Sequence, residues 1–175
     1  MKRRDSCFGA VLLIAAFSRG CIHAGAQTTS QTPAASTAMV DYLTADEIAA
    51  KAKTLLAQAT SAPGGSAGVT LAKYGGHFTM LTVRVKSGGG EFHKKNNHIF
   101  VAVDGEATVI TGGKLVDPRA SSADEIVGSR VEGGVAHVMH KGDIIHIPIN
   151  TPHQTTVAPG KTFTYYVVKV IEPGA

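Results

Sequence analysis

The stretch Gly142-Asp143-Ile144-Ile145-His146-Ile147-Pro148-Ile149-Asn150-Thr151-Pro152-His153 carries the clearest structural signal in the chain. A Lys141-Gly142 turn opens it, and Ile144 to Ile149 form an apolar, β-branched run of strand length. Pro148 has no N–H to give a sheet ladder, and Asn150, Thr151 and Pro152 are turn formers, so the strand must end there. The turn then presents His153 at the end of a strand, the position that opens onto the mouth of a barrel.

The same punctuation recurs on both sides. Leu81, Val83 and Val85 alternate with Thr82, Arg84 and Lys86, and Ile99–Val103, Ala107–Thr111 and Phe163–Ile171 are further apolar runs. Asp104-Gly105 lies between two of them and reads as a hairpin; Gly112-Gly113, Gly133-Gly134 and Pro159-Gly160 mark other turns. Period two dominates from Ala67 onward, and about eight to ten short strands predict an all-β fold, a closed barrel or double-sheet jelly roll. Asp117 to Gly134 is polar and Ser/Gly-rich and is expected to form one long mobile or functional loop.

Ahead of the strands, Thr44 and Glu47 make a capping box, and Ile48, Ala52, Leu55 and Ala59 recur at helical spacing as far as Ser61. One short amphipathic helix over 44–61 is expected to lie on the larger β body. Gln27 to Met39 is Thr, Ser, Ala, Gln and Pro with little to bury, so 27–43 reads as a flexible tether. Residues 1–26 read as a signal peptide. Lys2, Arg3 and Arg4 precede the apolar Phe8–Phe17, which is too short to span a membrane, and Ala24-Gly25-Ala26 supplies a small-x-small cleavage site. Export to the periplasm or medium is expected, with cleavage after Ala26 and no membrane association afterwards. Cys21 follows Ser18-Arg19-Gly20, which lacks the apolar residue of a lipoprotein signal.

At 175 residues the chain suits one domain, and 43% hydrophobic with 17% charged residues excludes a disordered or fibrous protein. The net charge of +4 is an effect of the leader, which holds four of the 17 basic and one of the 13 acidic residues; +1 remains, and nucleic acid is excluded as a partner. Cys7 and Cys21 leave with the leader, which excludes a disulfide, a cysteine nucleophile and a zinc–thiolate site. Two local matches are decoys. Gly64-Gly65-Ser66-Ala67-Gly68 has helix before and strand after, the reverse of a nucleophile elbow, and Gly160-Lys161-Thr162 lacks the upstream glycine of a phosphate loop.

Seven of the eight histidines survive cleavage. His93 and His98 flank Lys94-Lys95-Asn96-Asn97, a polar tetrad suited to a bend that lets both rings converge. With His153 they would offer three neutral imidazoles to Zn, Cu, Fe, Ni or Mn and leave coordination positions open. His146 shares a face with Ile144 and Pro148 and reads as a barrel residue or a hydrogen-bonding partner of the ligands. His77, His137 and His140 are expected to be exposed, and Phe163, Tyr165 and Tyr166 to be core or dimer-interface aromatics. Glu91 is the one carboxylate beside the site, which gives no paired acid/base arrangement.

Residues Gly89 to His153 resemble the two signature segments of the cupin superfamily, G-x5-H-x-H-x3–4-E-x6-G and G-x5-P-x-G-x2-H-x3-N. Gly142, Pro148 and His153 take the Gly, Pro and His positions of the second; Asn150 stands where Gly is usual and Val157 where the final Asn would be. In the first, His93 is matched to the first His and His98 to the Glu, six residues before Gly105, with Lys95 on the second His. The resemblance covers roughly 67–171. It implies a cupin double-stranded β-helix with one divalent transition metal on His93, His98 and His153, and pairing of barrels into a homodimer. Lys95 is then read as the catalytic residue orienting an anionic group of the substrate, being two residues from His93 on a regular strand. The function expected is a metal-dependent enzyme of the oxygenase, isomerase or lyase type acting on a small organic molecule; the alternative is a metal-free periplasmic module that binds one.

Overall fold

The computed structural model describes residues 40–174; the leader and tether residues 27–39 lie outside the described residues. Helix α1 (Ala45–Ser61) starts at Thr44, whose hydroxyl accepts the Glu47 N–H at 3.2 Å while the Glu47 carboxylate accepts the Thr44 N–H at 2.8 Å. It buries Leu55 and Ala59 against Leu81 and Val83, with Ile48 and Ala52 alongside. No helix among the described residues is long and apolar enough to cross a membrane.

The rest is antiparallel sheet. One layer runs β1 (Ser66–Lys73), β2 (His77–Arg84), β12 (Phe163–Ile171), the first part of β4 (Asn96–Thr111) and β10 (Ile144–Ile147). The facing layer runs β6 (Arg119–Ala120), β7 (Glu125–Gly128), β3 (Gly90–His93), β11 (His153–Thr156), the later part of β4 and β9 (Val135–His140). A small ladder joins β5 (Lys114–Val116) to β8 (Arg130–Glu132). The two layers close over a core in which Phe100, Ala102, Phe163, Tyr165 and Val167 meet Ala107, Val109 and Met139. This is an all-β jelly-roll barrel with, among the described residues, a single helix on its outside.

Two local expectations are corrected. Asp104-Gly105 is not a hairpin: β4 runs unbroken through it and passes from one layer to the other. Gly105, at φ +78°, makes the bend, any Cβ there would strike the Thr162 carbonyl, and the register with β12 shifts just before it, at Val103. The long polar stretch 117–134 is not one loop, because β6, β7 and β8 lie in it and β7 pairs with β3. On β2, Leu81 and Val83 do not face the barrel interior. They face α1, and Met80, Thr82 and Arg84 face inward, so both sides of this strand are covered.

Candidate metal centre

Each histidine of the candidate site is held by a different element. His93 ends β3, His98 lies on β4 between β10 and β12, opposite Ile147 and Lys169, and His153 begins β11. The turn before His153 is fixed on both sides: the Asn150 N–H donates to the His93 carbonyl at 2.8 Å, and the Ile149 N–H to Asn97 Oδ1 at 3.1 Å. Asn150 has φ +59°, which accounts for glycine being usual at this position and for asparagine being accepted.

The three rings meet inside the barrel. His93, His98 and His153 are 4%, 1% and 3% exposed, with centroid separations of 4.2 Å, 5.1 Å and 5.4 Å, and one nitrogen of each lies within 4.8 Å of the others. His153 Nδ1 lies 3.0 Å from the Thr151 carbonyl. In the neutral ring that nitrogen is the donor, which leaves Nε2 with a free lone pair. Nε2 of His153 and both nitrogens of His98 are buried with no hydrogen-bond partner. Burial pushes both imidazoles well below their ordinary pKa and keeps them neutral; at His98 the charge of Lys169 adds to this. Buried, neutral, lone-pair nitrogens aimed at one point are a donor set suited to a transition-metal ion.

Glu91 borders the cluster, in a second group with His93 and Glu125; the sequence pattern alone did not single it out as a ligand. It stands two residues before His93 on β3, so the two share a face, with Oε2 at 3.4 Å from His93 Nε2 and 3.8 Å from His153 Nε2. Its other oxygen lies 3.6 Å from Arg84 Nη2, and Arg84 Nε donates to the Tyr165 hydroxyl at 3.3 Å. Burial would raise the Glu91 carboxyl, but the hydrogen bond with His93 and the charge of Arg84 outweigh it and hold it well below the ordinary carboxylate range. Glu91 and His93, two residues apart on β3, bring their donor atoms together here, and Lys95 does not share that placement.

The expected place of Lys95 is corrected with it. β3 ends at His93, Lys94 and Lys95 form a bend, and strand alternation does not reach residue 95. Its ammonium pairs with Asp124 at 3.5 Å, and both side chains are nearly half exposed. The cavity beside His98, about 150 Å³, is lined instead by Arg84, Glu91, Tyr165 and Lys169 among others. Tyr165, expected as a plain core aromatic, is in the core and also holds Arg84. The other histidines lie elsewhere: His146 points outward opposite Ile99, His137 meets Thr111, His140 meets Glu106, and His77 stacks on Tyr74.

No protein-family model and no curated protein sequence matches the chain. Among solved structures it is similar to an oxalate oxidase in complex with glycolate (20% identity, TM-score 0.47, covering 66% of this chain and 56% of that one). It is also similar to DMSP lyase DddQ from Ruegeria pomeroyi (15%, 0.45, 63% and 49%) and to a cupin-like protein from Thermotoga maritima (15%, 0.43, 60% and 68%). These neighbours are cupin-fold proteins. The chain spans about half the length of the oxalate oxidase, and the likeness concerns the strand arrangement alone.

Proposed function

We propose that this is an exported barrel protein that holds one divalent transition-metal ion on His93, His98, His153 and Glu91 and acts on a small organic molecule in the adjoining cavity. The observation that carries the reading is the buried trio of imidazoles, in which both nitrogens of His98 and Nε2 of His153 lack hydrogen-bond partners. Left without an ion, those nitrogens would each cost about 1–3 kcal/mol of unmatched desolvation. A metal-free binding module gives no account of them. The basic, apolar and small-residue pattern of residues 1–26 supports export.

A bound ion would supply Lewis acidity or oxygen activation at an open coordination position. The chain's own groups set the conditions. The Thr151 carbonyl fixes the His153 tautomer. Arg84 and, behind it, Tyr165 hold the Glu91 carboxylate ionised and oriented. Phe100 and Val167 form an apolar wall that limits water and strengthens every charge interaction in the cavity. The test is calorimetric titration of chelator-treated mature protein with Zn2+ and with Mn2+. One site per chain is expected for at least one of the two ions, and its loss in His153→Ala; no binding, or equal binding in the variant, would overturn the reading.

A further inference from the structure

The inward face of β12 is apolar until its last inward position. Phe163, Tyr165 and Val167 are 0%, 5% and 3% exposed and belong to the core; the next residue of the same parity is Lys169. Its register neighbours are Phe78 on β2 and His98 on β4, and its ammonium lies 5.9 Å from the Phe78 ring centroid. It lines the cavity beside the candidate metal centre. A lysine here breaks the strand's own pattern where a cavity adjoins the candidate metal centre.

The ammonium also lacks a counter-ion. Among the described residues no carboxylate lies within ion-pair distance of Lys169, whereas Arg84 has Glu91 and Lys95 has Asp124. The nearby Glu172 carboxylate is engaged by Asn97 at 2.7 Å. With a divalent ion in place, the ion, Arg84 and Lys169 would carry four positive charges against two on Glu91 and Glu125. A partly buried surplus of this kind attracts an anion strongly. The cavity volume of about 150 Å³ suits a compact molecule.

We infer that Lys169 positions the carboxylate of a small organic acid in this cavity, and that it performs the role first assigned to Lys95. The inference rests on the metal-centre reading for the ligand's second contact, but the charge of Lys169 acts with or without the ion. The test measures affinities of propanoate and malonate, and of the neutral propanamide and malonamide, for mature wild type, Lys169→Met, Lys169→Arg and Lys95→Met. Metal content is assayed in every sample. A charge-assisted contact predicts that Lys169→Met binds the carboxylates about ten- to a hundredfold more weakly, leaves the amides unchanged and is largely rescued by Lys169→Arg. Lys95→Met should match wild type. Carboxylate affinity equal in wild type and Lys169→Met, or no preference for acid over amide in wild type, would overturn the inference whatever the metal content. Absence of metal from wild type, with the carboxylate preference and its loss in Lys169→Met intact, would overturn the metal reading and leave the Lys169 assignment standing.

Discussion

Glu91 and His93 stand two residues apart on β3 with Oε2 and Nε2 3.4 Å apart, so one short strand would offer both a carboxylate and an imidazole to an ion held there. The carboxylate contributes charge as well as a lone pair. Glu91→Gln keeps the shape and removes the charge, and is expected to weaken metal affinity by at least about tenfold, the size seen when groups supporting a metal are lost. Competition with a chelator reads the change. Lys95→His should leave affinity at the wild-type value, since residue 95 lies in the bend and pairs with Asp124.

His98→Phe separates stability from function. Both ring nitrogens of His98 are buried and unpartnered, and Phe100 and Ile147 are its neighbours inside the barrel. A phenyl ring of similar size removes the unmatched polar atoms. In chelator the variant should be more stable than wild type by about 1–3 kcal/mol in denaturant unfolding, and it should bind metal far more weakly. A destabilised metal-free variant would mean that His98 is satisfied in some other way.

The metal-free protein should lose stability as acid is added. Burial lowers the folded-state pKa of His98 and His153, so the unfolded chain binds protons first. Their contribution is fully present above the unfolded value, near 6.5, and is lost as pH falls below it; Glu91, held well below the ordinary carboxylate range, adds a loss in the same direction below about pH 4.5. The melting temperature in chelator should fall from pH 7 to pH 5, and fall less in His98→Phe.

Leu55→Ala tests the outer layer. Leu55 is 4% exposed against Leu81 and Val83, and its truncation should cost about 2–4 kcal/mol through lost burial and a cavity. Metal stoichiometry should not change, because α1 contacts the outward face of β2 and the metal centre lies on the inward side.

Much of this was legible in the residues, and the gaps have physical causes. The Thr44/Glu47 box and the Ile48, Ala52, Leu55, Ala59 spacing are local signals, and the helix follows them. The alternating runs give strands and the all-β class, but alternation cannot say which face is interior once a helix covers the other, and Arg84, on the polar side of that alternation, holds Glu91 inside the barrel. Gly105 reads the same in a hairpin and in a bend between layers, because both need positive φ. Lys95 follows from proximity in sequence to His93, whereas the pairing of β12 with β4, which puts Lys169 opposite His98, is a contact across some seventy residues that no local pattern encodes. Glu91 had a signal in its two-residue spacing from His93, overlooked because carboxylates were sought in pairs.

The most direct measurement is anomalous X-ray diffraction from crystals of the metal-loaded mature protein, collected above and below the absorption edge of the ion found by elemental analysis. A single strong peak among His93, His98, His153 and the Glu91 carboxylate, absent in crystals of His98→Phe, is the result predicted. No peak at that position, or a peak confined to the exposed His140, Glu106 and Asp143 group, would contradict the account.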